Sequence, residues 1–275
     1  MTLIDPARLA KSIPQVRRLI DQRDRLLRQR DDLREQVEAI RLERDYLQQL
    51  GGAGPSDGEA EASYTYAFIL TYGRSGSTLL QNLLTSAPGV LIRGENQGVP
   101  YQLYRYHSQV LHHRDRLARP EPLPPTHPWF GIDGYPEAHA LRSMRRLITE
   151  TLLRPHPDTR VVGFKEINWP FGELVAYVDF LSGIFPGARF IVNTRNLDDV
   201  AKSKWWGRRE DALDHLGELE ERMLAAAGHL GDRAFRIHYD DYLADPGRLE
   251  PLFEWLGAEY DRERIEKVMG IRASY

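Results

Sequence analysis

The sequence predicts an α/β domain: a P-loop-like, three-layer arrangement with a parallel sheet between helices, preceded by an N-terminal coiled-coil helix. Three observations predict it. From about Tyr64 onward, short apolar runs rich in strand formers alternate with stretches of helical periodicity, the pattern of a parallel sheet covered on both faces. The first run, Phe68-Ile69-Leu70-Thr71-Tyr72, breaks at Gly73 and Gly76, then restarts as Ser77-Thr78-Leu79-Leu80-Gln81-Asn82-Leu83-Leu84 with leucines at helical spacing. Before it, one column of a seven-residue repeat holds Leu19, Leu26, Leu33, Ile40 and Leu47.

The 275 residues suffice for one sizeable domain plus an extension, and 41% hydrophobic with 10% aromatic residues supplies a core. A net charge of −3 gives no reason to expect nucleic acid as a partner. The absence of cysteine excludes disulfides, thiol catalysis and zinc–thiolate sites. There is no apolar signal core at the N-terminus and no run long enough to span a membrane, so the expectation is a soluble, cytoplasmic protein without a transmembrane segment.

Residues 16–50 read as a coiled coil of about five heptads. The second seam column is Val16, Arg23, Arg30, Val37, Arg44, and a flanking column carries Gln15, Gln22, Gln29, Gln36, Glu43. Such a helix would be on the order of 50 Å long. An exposed leucine stripe of that length calls for a partner, and self-association through residues 16–50 supplies one; the alternative is a single charged helix packed on its own domain. Residues 51–63 lack large apolar side chains and read as a flexible linker. The expected organisation is therefore coiled coil at 1–50, linker at 51–63 and one α/β domain at 64–275.

Within that domain strands are expected near 64–72, 90–92, 160–166, 188–193 and 234–239, and helices after the glycine loop, across most of 101–153, and near 171–184, 197–206 and 211–229. The proline-rich Pro120–Gly131 stretch cannot be helical. In such sheets ligands sit at the C-terminal ends of the strands, where Gly73, Lys165, Arg195 and Tyr239 all fall.

Strand, glycine loop and helix together form an anion cradle, because loop amides and a helix N-terminus converge on one negative group. Arg74 adds a cation, and Ser75, Ser77 and Thr78 add hydroxyls. The loop is not the ATPase form G-x-x-x-x-G-K-[ST], since Ser77 holds the lysine position and Thr71 the first glycine position. The hydrolase elbow G-x-S-x-G is closer, but Ser77 stands where its last glycine belongs. Arg195 ends a later strand and Ser203 lies eight residues on, a pair able to clamp a second phosphate. No metal motif is legible; adjacent His112 and His113 point apart and would make poor joint ligands.

At this point the chain resembles the 3′-phosphoadenosine 5′-phosphosulfate-dependent sulfotransferases. Three stretches carry the resemblance: Arg74-Ser75-Gly76-Ser77-Thr78-Leu79, the run from Arg195 to Ser203, and Ile237-His238-Tyr239-Asp240-Asp241-Tyr242. It covers about Tyr64 to Gly257, and locally, from Arg74 through Glu95, the match is to tyrosylprotein sulfotransferases. The resemblance implies that Gly73, Arg74, Ser75, Gly76, Ser77, Thr78 and Leu79 hold the phosphosulfate, and that Arg195, Ser203 and Tyr239 hold the rest of the nucleotide. It also implies Glu95 as catalytic base, with Lys165 and Arg74 steadying the transferring group. No counterpart of the family's C-terminal nucleotide loop is legible.

Sulfuryl transfer needs cations and amides around the moving group and a base for the acceptor hydroxyl, by analogy with phosphoryl transfer, and needs no metal. Aromatics with arginines and histidines between Asn96 and Tyr135, including Tyr101, Tyr104, Tyr106, His107 and Trp129, would suit a sugar or a phenol, though at helical spacing the same residues are as well explained as core; the expected acceptor is a carbohydrate ahead of a tyrosine peptide or small molecule. Two other functions compete: a nucleotide-dependent phosphotransferase, and a non-catalytic nucleotide-binding scaffold organised by its coiled coil.

Overall fold

The structure is a computed structural model and describes residues 14–52 and 64–270. It divides into two compact units, one of residues 1–61 with 117–134, the other of 62–116 with 135–275.

In the first unit α1 (Pro14–Gly52) is a continuous helix over the heptad region. Leu19, Leu26 and Leu33 are each more than half exposed, so the leucine column is open along this stretch. Its arginines pair locally, Arg23 with Asp24 and Arg30 with Asp31, in exposed contacts that contribute little. Of the predicted linker at 51–63, Gly51 and Gly52 lie in α1 and residues 53–63 lie outside the described residues, as do the side chains of Ile40, Arg44 and Leu47. Residues 117–134 contain turns and no helix, as their prolines require; the Asp133 carboxylate accepts the Leu123 N–H at 2.7 Å.

The second unit is built on a five-stranded, wholly parallel sheet: β1 (Thr65–Leu70), β2 (Val90–Arg93), β3 (Val161–Glu166), β4 (Arg189–Thr194) and β5 (Ala234–His238), in the order β2-β3-β1-β4-β5. Side chains alternate across the sheet. Phe68 and Leu70 of β1 join Val162, Phe164, Phe190 and Val192 in one core, which α5 (Leu174–Ile184) and α7 (Ala212–Leu230) cover with Val178, Leu181, Leu216 and Met223. Ala67 and Ile69 join Val161, Ile191 and Ile237 in the opposite core. It is covered by α2 (Ser77–Thr85), α9 (Glu250–Leu256) and α10 (Arg262–Gly270) through Leu80, Leu83, Leu84, Phe253 and Ile265. These are the three layers the sequence predicts. Among the described residues no helix is long and apolar enough to cross a membrane.

The remaining helices are α3 (Val99–Arg116), α4 (Glu137–Leu147), α6 (Leu197–Ala201) and α8 (Tyr239–Ala244). Two boundaries correct the sequence reading. The helix expected over 197–206 stops at Ala201, because Lys204 turns left-handed at φ 44° and Trp206 folds back to donate its indole N–H to the Gly73 carbonyl at 3.0 Å. Ser203 therefore stands just beyond a helix rather than inside one. Tyr239 opens α8 instead of closing β5.

The aromatics of α3 that suggested an acceptor surface meet the core to different depths, Tyr101 and Tyr104 partly buried and His107 fully. Tyr101 and Tyr104 stack at 5.5 Å and pack on Tyr177. His107 is buried against Phe180 and hydrogen-bonds the Tyr135 hydroxyl at 3.0 Å. Burial pushes the Tyr135 phenol up to about 12, so it keeps its proton beside the His107 ring. Burial also holds the imidazole below its ordinary value of 6.5. The unfolded chain then binds the proton more readily, so the stability of the neutral ring is present above pH 6.5 and is lost as pH falls below it. Urea unfolding at a series of pH values is expected to show wild type losing more stability on the acid side than His107→Phe; equal slopes would contradict this.

Candidate active site

The site begins where β1 ends. Strand order reverses between β1 and β4, and in such a sheet the crevice at their C-terminal ends is the ligand position. The loop Tyr72–Gly76 fills that end and is tied down from beneath. Thr71, Ser75 and Asn193 are fully buried. The Thr71 hydroxyl donates to the Asn193 carbonyl at 2.9 Å and meets the Ser75 hydroxyl at 2.6 Å, which leaves Ser75 as the donor of that pair. The Asn193 amide donates to the Ser75 carbonyl at 3.0 Å and accepts the Tyr242 hydroxyl at 3.3 Å. The Ser75 side chain is thus turned inward, and its N–H is what it can offer the crevice.

Arg74 and Gly76 are both left-handed, at φ 70° and 80°, which bends the loop sharply between β1 and α2. Gly76 caps α2, whose first N–H groups have no intrahelical partner. A Cβ on Gly76 would sit 2.0 Å from the Tyr239 ring, so the loop and Tyr239 are in close contact. Ser77 is buried, Thr78 is exposed, and Leu79 is partly buried against the core beneath α2. Gly73 is covered by Trp205, whose ring lies 2.7 Å from where a Cβ would be.

Two guanidinium groups converge here. Arg74 Nε donates to Ser203 Oγ at 3.1 Å, and Arg195 Nη1 donates to the Arg74 carbonyl at 3.2 Å. Arg195 lies over Tyr239 at 4.6 Å, and its Nε is buried without a partner. Among the described residues neither arginine is paired with a carboxylate. Adjacent cations repel, and a polar crevice holding two of them is suited to an anion. Tyr72 fixes Arg195 from behind: its hydroxyl accepts the Arg195 N–H at 3.1 Å and donates to Glu220 at 2.7 Å. Burial and that carboxylate hold the phenol far above its ordinary value, so it remains a donor. Asp240 accepts the Asn196 N–H at 3.1 Å, joining the ends of β4 and β5.

A second cluster stands at the neighbouring strand end. Ile69 and Leu70 of β1 are in register with Lys165 and Glu166 of β3. Lys165, 3% exposed, donates from Nζ to Glu95 Oε1 at 2.5 Å. Neither Arg93 nor Arg74 pairs with Glu95. Arg93 instead donates to the carbonyls of Leu153 and Arg154. Lys165 has two further N–H bonds to give. Glu166 is turned the other way and accepts four backbone N–H groups, those of Asn96, Gly98, Ile167 and Asn168.

The predicted residues therefore fall into two groups along one sheet edge: Gly73–Leu79 with Arg195, Ser203 and Tyr239, and Lys165 with Glu95. Arg74 belongs by its hydrogen bonds to the first. Sequence reasoning missed Tyr72, Trp205, Trp206, Asn193 and Glu220. Only the position of Asn193 at a strand end offered a signal. Among the described residues no group of His, Cys, Asp or Glu is placed to hold a metal.

The unpaired arginines, the buried orphan Arg195 Nε and the glycine cradle fit a nucleotide carrying more than one phosphate-like group. Known proteins were compared with the chain. Among curated proteins no sequence matches the chain. Among solved structures the chain is similar to the sulfotransferase domain of an olefin synthase from Synechococcus PCC 7002, with 20% identity, 75% of this chain and 78% of that chain covered, and a TM-score of 0.45. A sulfotransferase from Mycobacterium tuberculosis H37Rv gives 15% identity, 76% and 71% coverage and a TM-score of 0.41. One from Alicyclobacillus acidocaldarius gives 13%, 76%, 97% and 0.40. The sequence model of the Sulfotransferase family matches residues 67–262, from the first strand through the cradle and both clusters to the last helix, and the chain belongs to that family.

Proposed function

We propose that the protein transfers a sulfuryl group from 3′-phosphoadenosine 5′-phosphosulfate to an acceptor hydroxyl by in-line displacement, with Glu95 as general base. The observation that carries this reading is the contact of Glu95 with nearly buried Lys165, one strand away from an anion cradle with two uncompensated arginines. When bound, the donor supplies a sulfuryl group already joined to a good leaving group, a nucleotide phosphate. The loop amides and Arg74 would hold its 5′ end, Arg195 and Ser203 its 3′-phosphate, and Tyr239 would complete the nucleotide side. Glu95 would take the proton of the acceptor hydroxyl as that oxygen bonds to sulfur and the sulfur–phosphate oxygen bond breaks. Lys165 would steady the charge on the oxygens in transit.

The test is metal-free sulfur-35 transfer to a panel of sugars, tyrosine peptides and phenols. Transfer to none of them, with the donor bound, would refute the reading. The acceptor class, carbohydrate included, is read from the same panel. His107 is buried and gives a sugar site no support, whereas Tyr101 and Tyr104 pack on Tyr177 and stay partly exposed.

Adenosine 3′,5′-bisphosphate is expected to bind without magnesium. Arg195→Ala should weaken it by roughly 1.5–3 kcal/mol, the range for a charge-assisted hydrogen bond. Calorimetry with the bisphosphate and with AMP decides; equal affinities would eliminate the second phosphate position.

A second part of the proposal concerns α1, whose exposed leucine column would pair with a second copy of the chain. Light scattering is expected to give an oligomer for the full chain and a monomer of undiminished specific activity for a chain starting at Glu61. A monomeric full-length protein would overturn this.

A further inference from the structure

The segment that carries Glu95 has little to hold it in place by itself. Gln97 and Gly98 are both left-handed, at φ 58° and 69°. A non-glycine residue keeps such a conformation only where its surroundings over-determine it. The Asn96 amide is buried with neither its oxygen nor its nitrogen bonded, so that side chain is no anchor. The anchor is Glu166. Its Oε2 accepts the N–H of Asn96 at 2.9 Å and of Gly98 at 3.1 Å. Its Oε1 accepts those of Ile167 at 2.8 Å and Asn168 at 2.9 Å. The side chain is 2% exposed, and four N–H dipoles meet its charge in place of a cation.

Neighbouring residues of a strand point to opposite sides. Lys165 and Glu166 therefore grip one loop at two points: the lysine holds the Glu95 side chain, and the glutamate holds the backbone just after it. We propose that Glu166 is a positioning residue for sulfuryl transfer, fixing the 96–98 backbone so that the Glu95 carboxylate stays on Lys165. This rests on the reading of Glu95 as the base. A role confined to stability would leave the geometry of Glu95 to Lys165 alone, and the two roles separate in a cycle of variants.

Glu166→Gln keeps the volume but turns an –NH2 toward two of the four N–H groups. It is expected to lower kcat on the order of 10²-fold, as for a displaced catalytic group. Affinity for adenosine 3′,5′-bisphosphate should be unchanged, and hydrogen exchange at the Asn96 and Gly98 amides should speed up. Added to Glu95→Gln it should cost nothing further, because both changes remove one function. Thermal unfolding is measured first. If Glu166→Gln does not fold, Glu166→Asp replaces it, keeping the charge but too short to reach both loops. Inactive Glu95→Gln beside fully active Glu166→Gln, or losses that simply add, overturn the positioning role alone. Active Glu95→Gln beside inactive Glu166→Gln overturns the base reading, and with it any route through Glu95.

Discussion

Glu95→Gln is expected to lower kcat on the order of 10²–10⁴-fold while affinity for adenosine 3′,5′-bisphosphate stays unchanged. The substitution keeps the size of the side chain, and its amide oxygen can still accept from Lys165, which donates to Glu95 at 2.5 Å. What disappears is a group able to take the acceptor's proton. The proposed nucleotide contacts, on Arg74, Arg195 and Ser203, belong to the other cluster, whose internal bonds the substitution does not touch. Steady-state turnover with calorimetry on the same preparation tests both halves. A variant retaining most of its turnover would remove Glu95 as base. His107 is no substitute, since it is buried and bonded to Tyr135.

Gly76→Val should abolish nucleotide binding and destabilise the domain by about 2–5 kcal/mol, combining left-handed strain with overpacking. At φ 80° a β-branched residue is strained whatever the space, and the space is taken: Tyr239 ring atoms stand 2.0 and 2.2 Å from the Cβ position. Either the ring leaves Arg195, on which it is stacked at 4.6 Å, or the cradle opens. Tyr239→Leu in the same chain should recover part of the stability by relieving the clash and none of the backbone strain. Product binding within twofold of wild type in Gly76→Val would mean that the loop does not hold the nucleotide.

Much of the frame was legible because it rests on local pattern. The apolar run at 66–70 is buried on both sides, so hydrophobicity alone marked it as an interior strand. The glycine loop was legible because left-handed backbone and a helix start leave a trace in residue type. The cluster partners were not. The Glu95–Lys165 and Tyr72–Glu220 contacts join positions far apart in the chain, and only the packing of loops and helices on the sheet brings them together. The short α6 was missed because the stop comes from Lys204, an ordinary helix former, and from an indole bond to a distant carbonyl. His107 shows the opposite failure: periodicity on α3 fits a ligand surface and a core equally well, and its burial against Phe180 decides.

The buried bonds among Thr71, Ser75, Asn193 and Tyr242 mean that the cradle is closed before any ligand arrives. A preformed loop loses little freedom on capture, so ordering places no slow step on association. Arrival is then governed by diffusion and by the field of Arg74 and Arg195, which acts alike on any anion of similar charge. Nucleotides that differ only in which contacts they satisfy would enter at similar rates and differ in how long they stay. For this fold, selectivity becomes a matter of residence time.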